Sequence, residues 1–366
     1  MSVIIFIISL AILILVHEFG HFIVAKKSGI RVDEFGLGFP PKIIGKKFRG
    51  TEYTLNWIPF GGFVKIFGED PHADEITPEN RSRSMYYKPR WIQALVLVAG
   101  IVMNLLFAWL LISLGFMLGL PSPVDHEGFG TVENAHVTVV ETLPGSPAEK
   151  AGLQSGDQIV SVSDGHTMLT DTDVTTDSIS NIISLSGSQG VILQVERGTE
   201  PLKTISLVPD TTLVPGRRVI GIDMDYIGTL QLPVGLALVQ GARDTAGLTW
   251  QTAVGLWQFL KNIFILHPDF SQVAGPVGIA HTVGQAKQLG FVYLLSLVAL
   301  ISINLAVINL IPFPALDGGR LFFILIEVII RRRINPKVAQ WVNTVGFVLL
   351  LILMLVITGH DIFKLL

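Results

Sequence analysis

The residues with the clearest chemical potential are His17, Glu18 and His21, which form an H-E-x-x-H sequence near the start of the chain. On an α-helix His17 and His21 are four residues apart, so their imidazoles leave the same face one turn apart and can hold one zinc ion. Glu18 lies about 100° further round the helix and can reach a water molecule beside that ion. The spacing therefore predicts a metal site that activates water.

This sequence lies inside an apolar run, from Ser2 to about Ala25, that is long enough to cross a bilayer. A charged side chain at the centre of such a run costs about 2.5–3.5 kcal/mol, and ionisable groups within membranes are generally functional. The alternative is a pair of hydrogen-bonded core histidines, as in many soluble helices. The membrane setting favours metal binding over that alternative.

The composition restricts both the class of protein and the kind of metal site. Half of the 366 residues are hydrophobic (50 %), only 15 % are charged and the mean hydropathy is +0.57, which is too apolar for an ordinary soluble protein. The chain has no cysteine, so disulfides and thiolate ligands are excluded. Any zinc ligand must be a His, Asp or Glu side chain.

Apolar segments predict four transmembrane helices, over residues 2–25, 91–120, a stretch that begins near 291, and 338–358. Residues 26–90 carry 12 Lys/Arg and 8 Asp/Glu, whereas residues 121–230 carry 5 and 15. The positive-inside rule therefore predicts that the first segment is cytoplasmic, that the second is extracytoplasmic and that both termini lie outside. In the second predicted span, Asn104 is expected to hydrogen-bond a neighbouring helix rather than to hold substrate.

Residues 51–68 read as a β-hairpin that turns at 59–62, because β-prone residues flank a Pro/Gly cluster. The segment is too apolar for a solvated loop, so we expect it to dip into the membrane. An exposed strand edge there could hold an extended substrate peptide, with Gly61, Gly62 and Phe63 as candidate substrate-binding residues. The alternative is a plug that only seals the site.

Residues 121–230 predict an inserted α+β domain. Ser146 can cap a short helix that begins at Pro147, and Gly152 can end it. Strands are expected over 158–162, 191–196 and 204–208. The pattern resembles a PDZ domain in its bacterial, circularly permuted form, which implies binding of extended peptide ends. Substrate docking or gating, and a steric cover without a bound peptide, both stay open.

Residues 231–290 predict an amphipathic helix lying in the membrane interface, centred on 245–260, and a Gly/Pro loop at 274–279. The following apolar stretch is too long for one span, and Pro312 and Pro314 break it just before Asp317. Irregular backbone at membrane depth is accepted where it lines a cavity. The predicted topology places Asp317 at the depth of His17 and His21, which gives three zinc ligands and an open fourth position.

The sequence thus indicates an α-helical polytopic membrane protein with an inserted α+β domain. We divide it into 1–120, with the first two transmembrane helices, the cytoplasmic loop and the hairpin; 121–230, the extracytoplasmic PDZ-like domain; 231–290, the interfacial helix and Gly/Pro loop; and 291–366, with the last two transmembrane helices.

Four features together resemble the site-2 protease family of intramembrane zinc metalloproteases, in its bacterial RseP type: H-E-x-x-H, the PDZ-like insertion, G-P-V-G-I at 275–279, and N-x-x-P-x-x-x-L-D-G at 309–318. The resemblance implies His17, His21 and Asp317 as ligands of Zn²⁺ and Glu18 as catalytic acid/base. It also implies that Asn309 helps to hold substrate.

The same resemblance implies regulated proteolysis in the bacterial cytoplasmic (inner) membrane, as in stress responses. The expected partners are single-pass membrane proteins, such as an anti-sigma factor already trimmed outside or a signal-peptide remnant, and a peptide ligand of the PDZ-like domain; nucleic acid is not expected. A metal transporter with the same His/His/Asp set, and a non-catalytic PDZ scaffold, are the competing interpretations.

Overall fold

The structure is a computed structural model that describes residues 2–69, 76–187, 190–198, 200–214, 216–265 and 275–365. The helices are α1 (Ser2–Lys27), α2 (Arg90–Leu118), α3 (Pro147–Lys150), α4 (Thr176–Leu185), α5 (Val234–Phe264), α6 (Pro276–Leu289), α7 (Phe291–Leu310), α8 (Asp317–Ile330) and α9 (Pro336–Leu365). The strands are β1 (Val32–Phe48), β2 (Thr51–Ile66), β3 (Leu120–Pro123), β4 (Glu133–Thr142), β5 (Gln158–Ser163), β6 (Met168–Thr170), β7 (Val191–Glu196), β8 (Lys203–Leu207), β9 (Asp210–Val214), β10 (Arg217–Val219) and β11 (Ile222–Leu230).

The chain forms two compact units. The helical unit comprises Met1–Ile112, Gly241–Gly284 and Leu297–Leu366. The sheet unit comprises Ser113–Gln240 and Gln285–Ser296.

Within the described residues, four helices are long and apolar enough to cross a membrane: Ser2–Lys27, Arg90–Leu118, Phe291–Leu310 and Pro336–Phe363. These are the four spans that the sequence predicts, so the polytopic membrane architecture is confirmed. Helix α5 has 31 residues but is not among them, because polar residues interrupt its apolar ones. Its location in the membrane interface stays a prediction.

The predicted break in the third apolar segment lies between α7, which ends at Leu310, and α8, which begins at Asp317. The loop folds back onto the start of α8. A Cβ atom on Gly318 would lie 2.2 Å from the Ile311 carbonyl oxygen, and one on Gly319 would lie 2.2 Å from that of Phe313. Both positions therefore need glycine, and together they set where the Asp317 carboxylate emerges.

The prediction of a hairpin within residues 51–68 is wrong about where the chain turns and about which strand this segment pairs with. The chain reverses at Arg49 and Gly50, both with positive φ (46° and 79°), and residues 51–66 form the single strand β2 against β1. A two-residue turn with positive φ at both positions matches the twist of a β-hairpin, whereas the Pro/Gly cluster at 59–62 only bends β2. That bend lets β2 pair with β1 twice.

The double pairing makes a small sheet of strand segments. Residues 34–37 of β1 pair with 52–55 and also with 62–65, so they lie between two parts of β2. The segment 52–56 of β2 also pairs with residues 42–47, a second part of β1. The segment 62–66 therefore forms one edge of this sheet, and the bend at Gly61 (φ 109°) lies against the Ile14 side chain of α1.

The sheet unit contains strands in the order β3-β11-β4-β5-β7-β8, with β6 paired to β5. Its apolar core joins the sheet to α3 and α4, with Val139, Leu193 and Ile179 fully buried. The predicted cap is confirmed: the Glu149 N–H donates to Ser146 Oγ at 3.2 Å, and α3 begins at Pro147. The predicted strands near 158, 191 and 204 are β5, β7 and β8.

The start of α6 is held by a distant carboxylate. Asp361 of α9, which is buried, accepts hydrogen bonds from the N–H groups of Gly275 (3.2 Å) and Gly278 (2.8 Å). A carboxylate at a helix N-terminus satisfies unpaired N–H groups and opposes the helix dipole. The Gly/Pro loop is thereby joined to the last span; its first residue, Ala274, lies outside the described residues.

Candidate metal centre

The three predicted ligands meet, although 296 residues separate His21 from Asp317. Asp317 Oδ2 lies 3.0 Å from His17 Nε2 and 3.2 Å from His21 Nε2, and the two Nε2 atoms are 3.2 Å apart. Their side chains are 16 %, 9 % and 8 % exposed for Asp317, His17 and His21. They form the one His/Cys/Asp/Glu cluster of metal-binding geometry within the part of the chain that the structure describes.

These distances fit zinc. Ligands about 2.0–2.1 Å from a tetrahedral ion lie about 3.3 Å from one another. The three observed separations, 3.0, 3.2 and 3.2 Å, are close to that value without rearrangement. Two neutral imidazole nitrogens and one carboxylate oxygen suit zinc, and three protein ligands leave the fourth position open.

The orientation of His21 is set by a backbone contact. Its Nδ1 lies 2.8 Å from the carbonyl oxygen of Val96 in α2, which can only accept. The proton of the neutral ring is therefore on Nδ1, and the Nε2 lone pair points toward Asp317 and His17. Such an outer hydrogen bond fixes the tautomer of a metal-binding histidine and makes it a better ligand.

Helices α1 and α2 approach closely at the site because each has a glycine at the contact. A Cβ atom on Gly100 would lie 2.6 Å from His21 Nε2, and one on Gly20 would lie 2.4 Å from the Ala99 carbonyl oxygen. Any larger side chain at Gly100 would occupy the space of the imidazoles. Small residues at helix contacts are a general feature of membrane helices.

Glu18 lies between the histidines in sequence and faces the edge of the β1/β2 sheet. Its Oε2 accepts a hydrogen bond from the backbone N–H of Val64 at 3.1 Å. Val64 belongs to the edge segment 62–66, so the carboxylate joins the helix that carries the histidines to that strand. The side chain is half-buried.

The candidate substrate-binding residues lie in the same unit. Gly61 and Gly62 are buried, and a Cβ atom on Gly62 would lie 2.9 Å from the Gly36 carbonyl oxygen. Phe63 is half-buried and stacks on Phe39 with ring centroids 6.2 Å apart. Asn309 is half-buried in the last turn of α7. Their roles toward a substrate stay predictions.

Two residues of α2 contribute to the site. Gly100, which gives the imidazoles their space, was not predicted; its sign in the sequence was a glycine within an apolar helix. The prediction that Asn104 hydrogen-bonds a neighbouring helix is confirmed: its Nδ2 lies 3.2 Å from His17 Nδ1 of α1, and its carbonyl oxygen accepts from Ser302 Oγ of α7 at 2.8 Å. What was not predicted is that its partner on α1 is one of the three proposed ligands.

A known protein family and several named proteins match this chain over nearly its whole length. Residues 5–353 match Peptidase family M50. A protein of Clostridium perfringens that is named as a zinc metalloprotease is 38 % identical over 363 residues, covering 99 % of this chain and 98 % of that protein. One from Nostoc sp. is 36 % identical, covering 96 % and 93 %. The zinc metalloprotease RasP of Geobacillus kaustophilus is 28 % identical, covering 99 % and 98 %.

Proposed function

Because this chain belongs to peptidase family M50, the site-2 protease family, and is therefore a zinc metalloprotease, we propose that it cleaves transmembrane segments of single-pass membrane proteins within the bilayer. The residues proposed to do so are His17, His21 and Asp317 as zinc ligands and Glu18 as acid/base. Because the members of this family are enzymes, the metal-transporter and scaffold interpretations are disfavoured.

The observation that carries this proposal is the meeting of three side chains at ligand distances. His17 and His21 lie on a helix that is apolar enough to cross a membrane, and Asp317 lies at the start of α8, just after the break that follows the span α7. A site of this kind inside a bilayer has little access to soluble peptides. The bonds it can reach are those of chains that enter the membrane themselves.

A zinc ion held by the three side chains would act as a Lewis acid, lowering the pKa of bound water and polarising a peptide carbonyl. Glu18 takes a proton from the attacking water and returns it to the leaving amine as the peptide bond breaks. His21 is kept in its ligand tautomer by the Val96 carbonyl throughout. The non-helical backbone of the break before Asp317 offers polar groups to water at this depth.

The substrate must be extended at the cut, since the carbonyl of a helical residue is already hydrogen-bonded. We place it along segment 62–66, whose outer edge carries the Val64 N–H that reaches Glu18. Strand addition at this edge would bring the scissile carbonyl beside the acid/base residue. Gly61 and Gly62 let the start of this segment pack closely, since a Cβ atom would lie 2.9 Å from the Ile14 side chain at Gly61 and 2.9 Å from the Gly36 carbonyl oxygen at Gly62.

This placement predicts that the Val64 N–H is needed for cleavage. Val64→Pro removes that donor. Because the N–H points to Glu18 rather than to the paired residue Phe35 of β1, the sheet should tolerate the change. Losing a backbone hydrogen bond to a charged group corresponds to about 1.5–3 kcal/mol, or roughly 10–150-fold in rate. The measurement is kcat/KM for a membrane-embedded reporter.

The matched control is Val64→Ala, which shortens the side chain and keeps the N–H. We expect it to retain cleavage within a few-fold of the unchanged protein. Equal rates for the proline and alanine variants would contradict placement of the substrate on this edge.

The sheet unit is proposed to be a PDZ domain that binds an extended peptide end. Residues 222–225 of β11 pair with β4 on one side, whereas β3 pairs only with 227–230 on the other. A cavity of about 360 Å³ lies along this part of the strand, lined by Ser180 and Ile183 of α4, Ile220 and Gly221 of the preceding loop, and Ile222 and Met224. A peptide strand fits between β11 and α4 in this arrangement.

The proposed location is the bacterial cytoplasmic membrane, with residues 26–90 in the cytoplasm and the sheet unit outside. The basic excess of the first segment and the acidic excess of 121–230 support this orientation. Exposed apolar side chains along β1 and β2, among them Ile43, Ile44 and Trp57, support contact of that sheet with lipid. An anti-sigma factor trimmed outside, or a signal-peptide remnant, is the proposed type of substrate, with a role in stress responses.

The test is cleavage of a single-pass reporter by the purified full chain in liposomes. We expect cleavage inside the transmembrane segment, loss of at least about 90 % of the rate after a zinc chelator, and recovery on adding zinc, since no step proceeds without the Lewis acid. Mass spectrometry of the products locates the cut. A cut only outside the membrane, or full activity in chelator, would refute the proposal.

A further inference from the structure

Among the described residues, Asn104 is a fully buried polar side chain in contact with a proposed ligand that the mechanism above does not use. It is 0 % exposed, and its Nδ2 lies 3.2 Å from His17 Nδ1. Its Oδ1 is buried and has no hydrogen-bond partner among the described residues. A buried carboxamide oxygen without a partner is costly, which indicates a second arrangement in which it is satisfied.

Binding of zinc by His17 Nε2 requires that second arrangement. The ring proton must then be on Nδ1, so this atom becomes a donor facing the Asn104 amide NH₂, which is also a donor. Turning the carboxamide by 180° places Oδ1 against Nδ1–H instead. The same rotation removes the donor–donor conflict and gives Oδ1 its missing partner.

We infer that Asn104 is a positioning residue for the His17 ligand, whose carboxamide oxygen accepts the Nδ1 proton in the zinc-bound protein and whose NH₂ donates to the bare Nδ1 in the zinc-free one. The inference rests on the proposed zinc binding by His17. A carboxamide serves both histidine tautomers, whereas a carboxylate serves only the zinc-bound one and an apolar side chain serves neither.

The test is the zinc dissociation constant of the purified full chain, measured by competition with a chelator of known affinity. Outer partners of metal-binding histidines contribute about 10–100-fold in metal affinity. We therefore expect Asn104→Leu, which is of similar size, to bind zinc about 10–100-fold more weakly. Asn104→Asp keeps the acceptor and should bind zinc at least as tightly as the unchanged protein.

Ser302→Ala is the matched control, because Ser302 contacts the backbone of Asn104 and not its side chain. It should change helix packing alone and leave the zinc affinity unchanged. Thermal unfolding of each zinc-free variant reports folding separately. If Asn104→Leu does not fold, the aspartate variant still decides: affinity equal to or above that of the unchanged protein supports the inference, and a tenfold loss overturns it.

Wild-type zinc affinity in Asn104→Leu, or equal losses in the leucine and aspartate variants, would overturn the positioning role. Failure of the unchanged protein to bind zinc would instead refute the proposed metal site. In ¹⁵N-labelled histidine spectra of the zinc-loaded protein, His17 should carry its proton on Nδ1, and a proton-free Nδ1 would equally overturn the inference.

Discussion

Glu18→Gln is expected to abolish cleavage of a membrane-embedded substrate while zinc stays bound. The glutamine has the size of glutamate and can still accept the Val64 N–H, whose distance to Oε2 is 3.1 Å in this structure. It cannot take a proton from water. Loss of a general acid/base lowers rates by about 10²–10⁴-fold, and here one residue performs both proton transfers. The measurements are single-turnover cleavage in liposomes and zinc content.

Glu52→Gln is a suitable control for this change. Glu52 lies on β2, the strand that also contains Val64, and forms an exposed ion pair with Lys42 at 2.7 Å. Ion pairs of this exposed kind contribute little to stability, so this variant should cleave normally. Unimpaired cleavage by Glu18→Gln would remove the proposed acid/base. Loss of zinc from that variant would show that the carboxylate acts on the metal site instead.

Asp317→Asn is expected to lose both zinc and activity. The carboxamide has almost the same shape as the carboxylate, so the loop and α8 should keep their fold. It lacks the negative charge that makes Oδ2 a ligand 3.0 and 3.2 Å from the two imidazoles. Zinc affinity should fall by more than the roughly 10–100-fold that loss of an outer partner costs, and cleavage should fall with it.

Asp361→Asn is the matched control, since Asp361 is also a buried carboxylate of the helical unit but caps α6 through Gly275 and Gly278. It keeps one of the two oxygens that accept from Gly275 and Gly278 and should retain zinc. Elemental analysis of both variants after dialysis separates a loss of ligand from a general effect of removing a buried charge. Zinc retained by Asp317→Asn would place the third ligand elsewhere.

Much of the membrane architecture was predictable because its cause is local. A span needs about 20 apolar residues, and a proline pair interrupts a helix wherever it occurs. The four spans, the break before Asp317 and the cap at Ser146 therefore follow from adjacent residues. The pairing of His17 with His21 is local in the same sense, because four residues are one helical turn.

The meeting of the histidines with Asp317 was predicted only indirectly, by matching depths in the membrane and by resemblance to a family. Equal depth in the membrane puts the three groups on the same level but does not bring them into contact. The contact depends on how α1, α2 and α8 pack, and on three glycines. The need for Gly100 is visible only when the imidazoles are in place, and the need for Gly318 and Gly319 only when the backbone of the preceding loop is in place.

The hairpin was mispredicted because strand pairing is not local. Segment 51–68 contains both the β-prone residues and the Pro/Gly cluster that signal a hairpin, but a turn signal does not say which strand lies opposite. Residues 32–48 compete for the same hydrogen bonds, and the turn at Arg49 and Gly50 joins them to β2 over a longer ladder.

The sequence alone determined which residues can do chemistry and which segments are apolar enough to cross a membrane, since side-chain type and local apolar length are properties of the chain itself. Tertiary structure alone decided that Val64 reaches Glu18, that Val96 orients His21 and that Asn104 faces His17. Each of these contacts joins residues at least 46 positions apart. Only the packing of helices and strands brings such groups within hydrogen-bond distance.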